Sequence, residues 1–150
     1  MDSQKTTEKS NVLVQDLAQD TDSEIIYLWQ IEIPKINCLA NISEGTDEKT
    51  LNQYVGHFED SKRRNGNIAL AAHNRGYNVN YFSRIKELNL GDEILYSYNE
   101  FSKSYKVISK EIIKNTDFSK IEDTKKNQIT LITCVENEPE FRRCIIAEEI

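Results

Sequence analysis

Histidine, proline and tryptophan are scarce in this 150-residue chain, at two, two and one residues, and cysteine occurs three times. With two Pro and five Gly the chain is neither collagen-like nor a Pro/Gly-rich disordered segment, and 38% hydrophobic with 29% charged residues suits a folded core. Cys38, Cys134 and Cys144 are odd in number and lack CxxC spacing, so neither a disulfide framework nor a zinc site is indicated and at least one thiol is free. Positive charge is also short: 19 Lys and Arg stand against 25 Asp and Glu, for a formal net charge of -6. Lys62-Arg63-Arg64 is the one basic cluster, and it is too small to make nucleic acid an expected partner. No apolar run reaches bilayer length, and the polar start from Met1 to Ser23 is not a signal peptide, so the chain as given is expected to be soluble and to lack an anchor. The length accommodates one domain. Residues 1–23 read as a flexible arm or linker and residues 24–150 as the folded unit.

What is present reads mostly as strands. Ile25 to Ile33 is β-branched and aromatic until Pro34 stops the ladder, and Cys38 to Ile42 suits a second strand before a turn at Glu44-Gly45. Thr46 stands in N-cap position before Leu51, Tyr54, Val55 and Phe58, whose spacing predicts a helix of about three turns. Asn67 to Ala72 reads as a buried strand, and Phe82, Ile85 and Leu88 as one face of a short helix. Strands follow at Glu93 to Tyr98, Ser102 to Ile113, Ile129 to Cys134 and Cys144 to Ile150, with Thr116 capping a helical turn through Ile121. Runs of strands with few, short helices predict a mainly β fold, a mainly antiparallel barrel or sandwich.

Chemistry can then be sought at strand ends. Cys134 closes a buried strand beside the polar loop Glu136-Asn137-Glu138-Pro139, where a rigid scaffold presents a side chain to a ligand. Its plainer reading is an inert buried thiol, since a nucleophilic thiolate needs a base or a positive charge nearby. His73 ends a buried strand in the same way, whereas His57, placed near the end of the predicted helix, has a simple packing use there. Arg142 and Arg143 begin the final strand, which a seven-residue connection from Val135 to Phe141 folds back towards Cys134. A guanidinium there favours thiolate and stabilises an oxyanion, and its plainer reading is an ion pair with Glu136, Glu138 or Glu140.

These residues resemble the sortase family from about Ile31 to the C-terminus. Thr130-Leu-Ile-Thr-Cys134 is similar to the family's TLxTC signature. Ile31-Glu-Ile-Pro-Lys-Ile36, Ile42-Ser-Glu-Gly-Thr46, Gly56-His57, Gly66-Asn67, Ala71-Ala-His73 and Leu90-Gly-Asp92 resemble further landmarks in the expected order. The resemblance implies a closed eight-stranded β-barrel with one or two short helices and no organic cofactor. It also implies a cysteine transpeptidase that cuts an LPxTG-like sorting peptide of a secreted surface protein and joins it to an amine of a cell-wall precursor or a pilin. The native protein is then expected at the outer face of a Gram-positive cell membrane, anchored to it. His73 and Cys134 take the catalytic positions, and Leu131 and Thr133 line or support the peptide groove. Calcium, which some members use, would draw on Glu59, Asp60, Glu122 and Asp123, residues that scattered surface acidity explains as well. The family's final strand places a small residue five positions after its arginine, which counts back from Ala147 to Arg142, whereas an alignment on the apolar run alone selects Arg143. The competing readings are a non-catalytic peptide-binding barrel and a thiol hydrolase that passes its acyl group to water.

Overall fold

The computed structural model describes residues 28–150. The arm at residues 1–23 and the expected strand residues 25–27 lie outside the described residues. Eight strands form the fold: β1 (Trp29–Ile33), β2 (Cys38–Glu44), β3 (Val55–His57), β4 (Asn67–Ala71), β5 (Glu93–Tyr98), β6 (Phe101–Lys114), β7 (Gln128–Val135) and β8 (Glu138–Glu149). They close into a barrel in the order β1-β2-β3-β4-β7-β8-β6-β5, with β5 pairing back onto β1. Among the described strands, closure leaves no sheet edge without a neighbouring strand. Two neighbouring pairs, β2 with β3 and β4 with β7, are parallel, and the others are antiparallel.

The alternation of side chains decides what fills the barrel. Ile31, Ile33, Ile68, Leu70, Ile94, Tyr96, Tyr105, Ile129, Leu131, Ile145 and Ala147 belong to one buried cluster, which Phe82, Ile85 and Leu88 join from the connection between β4 and β5. Those three residues are buried as the sequence predicts, around a 3-10 turn at Ile85–Glu87. Several polar groups inside are paired, whereas the buried Tyr105 hydroxyl has no partner among the described residues. Tyr96 Oη accepts from Trp29 Nε1 at 2.9 Å and donates to the Arg63 carbonyl at 2.7 Å, tying β1 and β5 to the loop before β4. Buried Asn67 donates to the carbonyls of Lys120 and Glu122 at 2.9 and 2.8 Å and accepts from Thr130 Oγ1 at 2.8 Å, docking the connection before β7.

Three expected elements differ. The three-turn helix from Thr46 is a single turn, α1 (Glu48–Leu51), capped by Asp47, whose carboxylate accepts from the Thr50 N–H at 2.9 Å. Val55, Gly56 and His57 form β3 instead, because a parallel partner in β2 and an antiparallel one in β4 satisfy both of its edges. Thr116 does not cap the next turn. The Asp117 side chain accepts from the Ser119 N–H at 2.9 Å ahead of a 3-10 turn at Ser119–Ile121. Finally, β7 and β8 are joined through Glu136 and Asn137, not through seven residues, with Asn137 in the left-handed region at φ 62°.

Gly56 sits where backbones approach closely. A Cβ there would lie 2.3 Å from the Gly45 carbonyl oxygen and 2.7 Å from Leu51 Cδ2. Gly56→Ala is therefore expected to destabilise the barrel by about 1–3 kcal/mol in urea unfolding, as overpacking does, although alanine is an otherwise mild replacement.

Candidate functional site

The parallel strands β4 and β7 run side by side from Asn67 and Gln128 to Ala71 and Ile132, so their C-terminal ends emerge together. His73 follows the first and Cys134 lies near the end of the second. They share a cavity of about 570 Å³ with Arg142, Thr133, Thr46, Leu51 and Tyr77. Its floor is apolar where Ala71, Ile132 and Phe58 line it, and these belong to a second small cluster on the outer barrel face that Ile113, Cys144 and Ile146 continue.

Cys134 is exposed, whereas the other free thiols, Cys38 and Cys144, are buried. Burial pushes their pKa values up to about 11 and about 12, so both stay protonated and unreactive. The His73 ring stacks on Tyr77, with centroids 3.6 Å apart and planes 8° from parallel. Its Nε2 has no hydrogen-bond partner among the described residues. Burial holds the His73 pKa below its usual value, against the opposing pull of the Glu48 carboxylate, and so favours a neutral ring able to accept a proton.

Strand pairing separates the two arginines. Cys134 pairs with Arg142 and Thr133 with Arg143, so Arg142 shares the thiol's face of the sheet and Arg143 the opposite one. Val135 already pairs with Glu138, so residues 139–141 bulge out of the β7 ladder. Arg142 Nη1 donates to the Pro139 and Phe141 carbonyls in this bulge, both at 2.8 Å, and the side chain lines the cavity. Arg143 instead stands 3.6 Å from Glu136 Oε1.

The other expected site residues divide between the cavity and the core. Leu131 belongs to the barrel core and is fully buried, so it supports β7 and is not part of the cavity wall. Thr133 does line the cavity, and its hydroxyl donates to the Ala72 carbonyl at 2.7 Å. His57 is fully buried in β3, where its Nδ1 lies 2.7 Å from Glu44 Oε2 and its Nε2 lies 2.7 Å from the Lys62 carbonyl and 3.0 Å from Ser61 Oγ. Serine, histidine and glutamate are thus in hydrogen-bonded sequence, but Ser61 is buried and its hydroxyl donates to the Phe58 carbonyl at 2.8 Å and accepts from the Ala69 N–H at 3.1 Å. With no exposed nucleophile this group is a structural tie. Glu59 and Asp60 precede β4, and Glu122 and Asp123 precede β7. Among the described residues no three acidic, histidine or cysteine side chains gather, and Asp123 already accepts from the Asn67 N–H at 3.1 Å.

Sequence reasoning gives Glu136 only an arginine partner and Asn74 nothing. In the structure Asn74 Nδ2 donates both to the Cys134 carbonyl at 2.9 Å and to Glu136 Oε2 at 2.8 Å, and Lys86 Nζ donates to the same carboxylate oxygen at 3.1 Å. The Asn74 amide, with the backbone of Glu136 and Lys86 behind it, pulls the Glu136 pKa down to about 2.

The chain is similar to known proteins over most of its length. The Sortase domain family model matches residues 31–149. Sortase D of Bacillus subtilis is 38% identical over 109 residues, covering 69% of this chain and 52% of the relative. Sortase A of Bacillus anthracis is 30% identical over 124 residues, covering 82% of this chain and 59% of the relative. The chain thus spans little more than half the length of these curated relatives. Among solved structures, the pilus-related sortase C of Group B Streptococcus superposes with a TM-score of 0.77 at 22% identity, over 82% of this chain and 66% of that one. Sortase A from Corynebacterium diphtheriae gives 0.77 at 24% identity, over 85% of this chain and 62% of that one. The chain belongs to the sortase family. Among its described residues no helix is long and apolar enough to cross a membrane.

Proposed function

We propose that this chain is a cysteine transpeptidase acting on a sorting pentapeptide of the LPxTG type. The observation that carries the reading is the shared cavity of Cys134, His73 and Arg142, above an apolar floor suited to an extended peptide. Cys134 Sγ gives its proton to His73 and attacks the carbonyl carbon of the peptide's fourth residue. The developing oxyanion is stabilised by Arg142 and the backbone N–H after Cys134. The C–N bond breaks as His73 returns the proton to the departing amine, leaving a thioester on Cys134. An acceptor amine then attacks the thioester, forming a new amide and restoring the thiol. The acceptor is an amine of a cell-wall precursor or a pilin lysine. The donor is a secreted surface protein, and the enzyme works at the outer face of a Gram-positive membrane, anchored there in its native form.

The test is incubation of the chain with fluorogenic sorting pentapeptides, with and without candidate amines. Cleavage with formation of the amine adduct is the expected result. Cleavage that yields only free acid in the presence of every amine would make the protein a thiol hydrolase, and no cleavage at all would leave a binding barrel. In the same assay Arg142→Ala is expected to lose about 10²-fold in turnover, the scale of one lost oxyanion donor. Arg142→Lys should recover little of this, because a point charge does not reproduce the planar fork. A larger loss in Arg143→Ala would reverse the assignment.

A further inference from the structure

We infer that Asn74 and Glu136 form a positioning clamp that sets the distance and alignment between His73 and Cys134, a role that rests on the transpeptidase reading above. The backbone pairing of β4 with β7 stops one step short of the site: the Ala72 N–H reaches the Ile132 carbonyl at 3.3 Å, and the chain then leaves the sheet at His73. In a parallel ladder the bonds donated from one strand recur every two residues, so the next bond donated from the β4 side would run from residue 74 to the carbonyl of residue 134. It does, but through the side chain. The Asn74 amide donates to the Cys134 carbonyl at 2.9 Å, standing in for a backbone N–H where the strands have diverged. His73 is thereby held between two cross-strand bonds whose acceptors flank Thr133.

The second proton of the same amide goes to Glu136 Oε2 at 2.8 Å, in the turn that joins β7 to β8. Glu136 is itself held from two sides, by Lys86 Nζ at 3.1 Å and by Arg143 Nη2 at 3.6 Å. Arg75 Nη2 donates to Asn137 Oδ1 at 2.8 Å and ties the same turn again. Two consecutive residues after the histidine therefore grip the two turn residues that follow the thiol strand. Asn74 is buried, so both of its donors must be satisfied here. With the carboxylate's pKa pulled down to about 2, the clamp keeps its charge across any ordinary assay pH. Asn74 and Glu136 make no hydrogen bond to the thiol or the ring and act through the backbone that carries them.

The test compares kcat, KM and near-UV circular dichroism for Asn74→Ala, Glu136→Ala and the double variant on one good peptide. Misplacement on the scale of 1 Å costs on the order of 10²-fold, so Asn74→Ala is expected to lower kcat by about that factor with KM nearly unchanged. Glu136→Ala leaves the bond to the Cys134 carbonyl in place and should cost about tenfold. Because both act as one unit, the double variant should be no worse than Asn74→Ala alone. Asn74→Asp, which sets a carboxylate against Glu136, should be the poorest single variant and should regain part of its kcat when Glu136→Gln is added. An Asn74→Ala enzyme with wild-type kcat, a change confined to KM, or losses that multiply in the double variant would overturn the clamp. Should Asn74→Ala fail to fold, Glu136→Ala and the Asp/Gln rescue decide the matter. A wild-type chain that cleaves no peptide would remove the transpeptidase reading, and this role with it, and is recognised before any variant is made.

Discussion

Cys134→Ala is expected to show no peptide cleavage at all while keeping its fold and melting temperature. The thiol is the only one of three that is exposed, and it stands at the mouth of the barrel and not within it, so its removal leaves no cavity in the core. Alanine has no nucleophile, and a reaction that passes through a thioester has no other route. The two remaining cysteines give the internal control. Cys38→Ala and Cys144→Ala should each keep most of the activity but lose about 1 kcal/mol or more of stability, because both side chains are buried in packed clusters. Cleavage assays beside thermal melts of the three variants separate chemistry from packing. Full activity in Cys134→Ala would end the enzyme assignment.

The second large effect is expected at His73. Without a positioned imidazole the departing amine must leave unprotonated, and His73→Ala should cost about 10²–10⁴-fold in turnover. Stability should change little, since the ring stacks on a half-exposed Tyr77 and its Nε2 bonds to nothing in the described structure. His57→Ala should do the reverse. Removing that ring leaves Glu44 and the Lys62 carbonyl without their partner inside β3, at a cost of about 1–3 kcal/mol, while the cavity around Cys134 is untouched. Single-turnover kinetics and urea melts of the two variants give opposite orderings if the assignment is right, and an inactive His57→Ala with an active His73→Ala would refute it.

Legibility followed the range of the interactions. Strands β4 and β7, with His73 and Cys134 at their ends, were readable because each is a compact apolar run that ends abruptly in polar residues. Strand alternation put Arg142 and Arg143 on opposite faces, but the choice of Arg142 rested on the family's spacing to Ala147, because the register that pairs Cys134 with Arg142 lies beyond a bulge at residues 139–141 that no local pattern shows. The segment from Thr46 to Phe58 was misread because Leu51, Tyr54, Val55 and Phe58 have helical spacing, yet the hydrogen bonds of Val55 to His57 come from β2 and β4, which no local pattern encodes. Leu131 illustrates the same limit on a smaller scale. It neighbours residues that line the cavity, but period-two alternation turns it into the barrel. The role of Asn74, and its bond to Glu136, went unnoticed because these bonds join partners distant in sequence. Their signal was available only to someone already pairing β4 with β7 in parallel and counting two residues past the last backbone bond.

The parallel contact between β4 and β7 also bears on how the molecule comes together. The bonds from Asn74 to Cys134 and from Thr133 to Ala72 join residues 60 and 61 positions apart, and the intervening chain holds β5 and β6, which must find β1 and β8 around the far side of the barrel. Contacts of such long sequence separation carry a large loop-closure entropy and put all-β domains among the slow folders, with times of milliseconds to seconds. Until that seam closes, the thiol and the imidazole are two unrelated side chains on a fluctuating polymer. In the proposed function, the pairing of Cys134 with His73 is thus tied to the completion of folding: the two side chains come to share one cavity only as the seam between β4 and β7 zips shut.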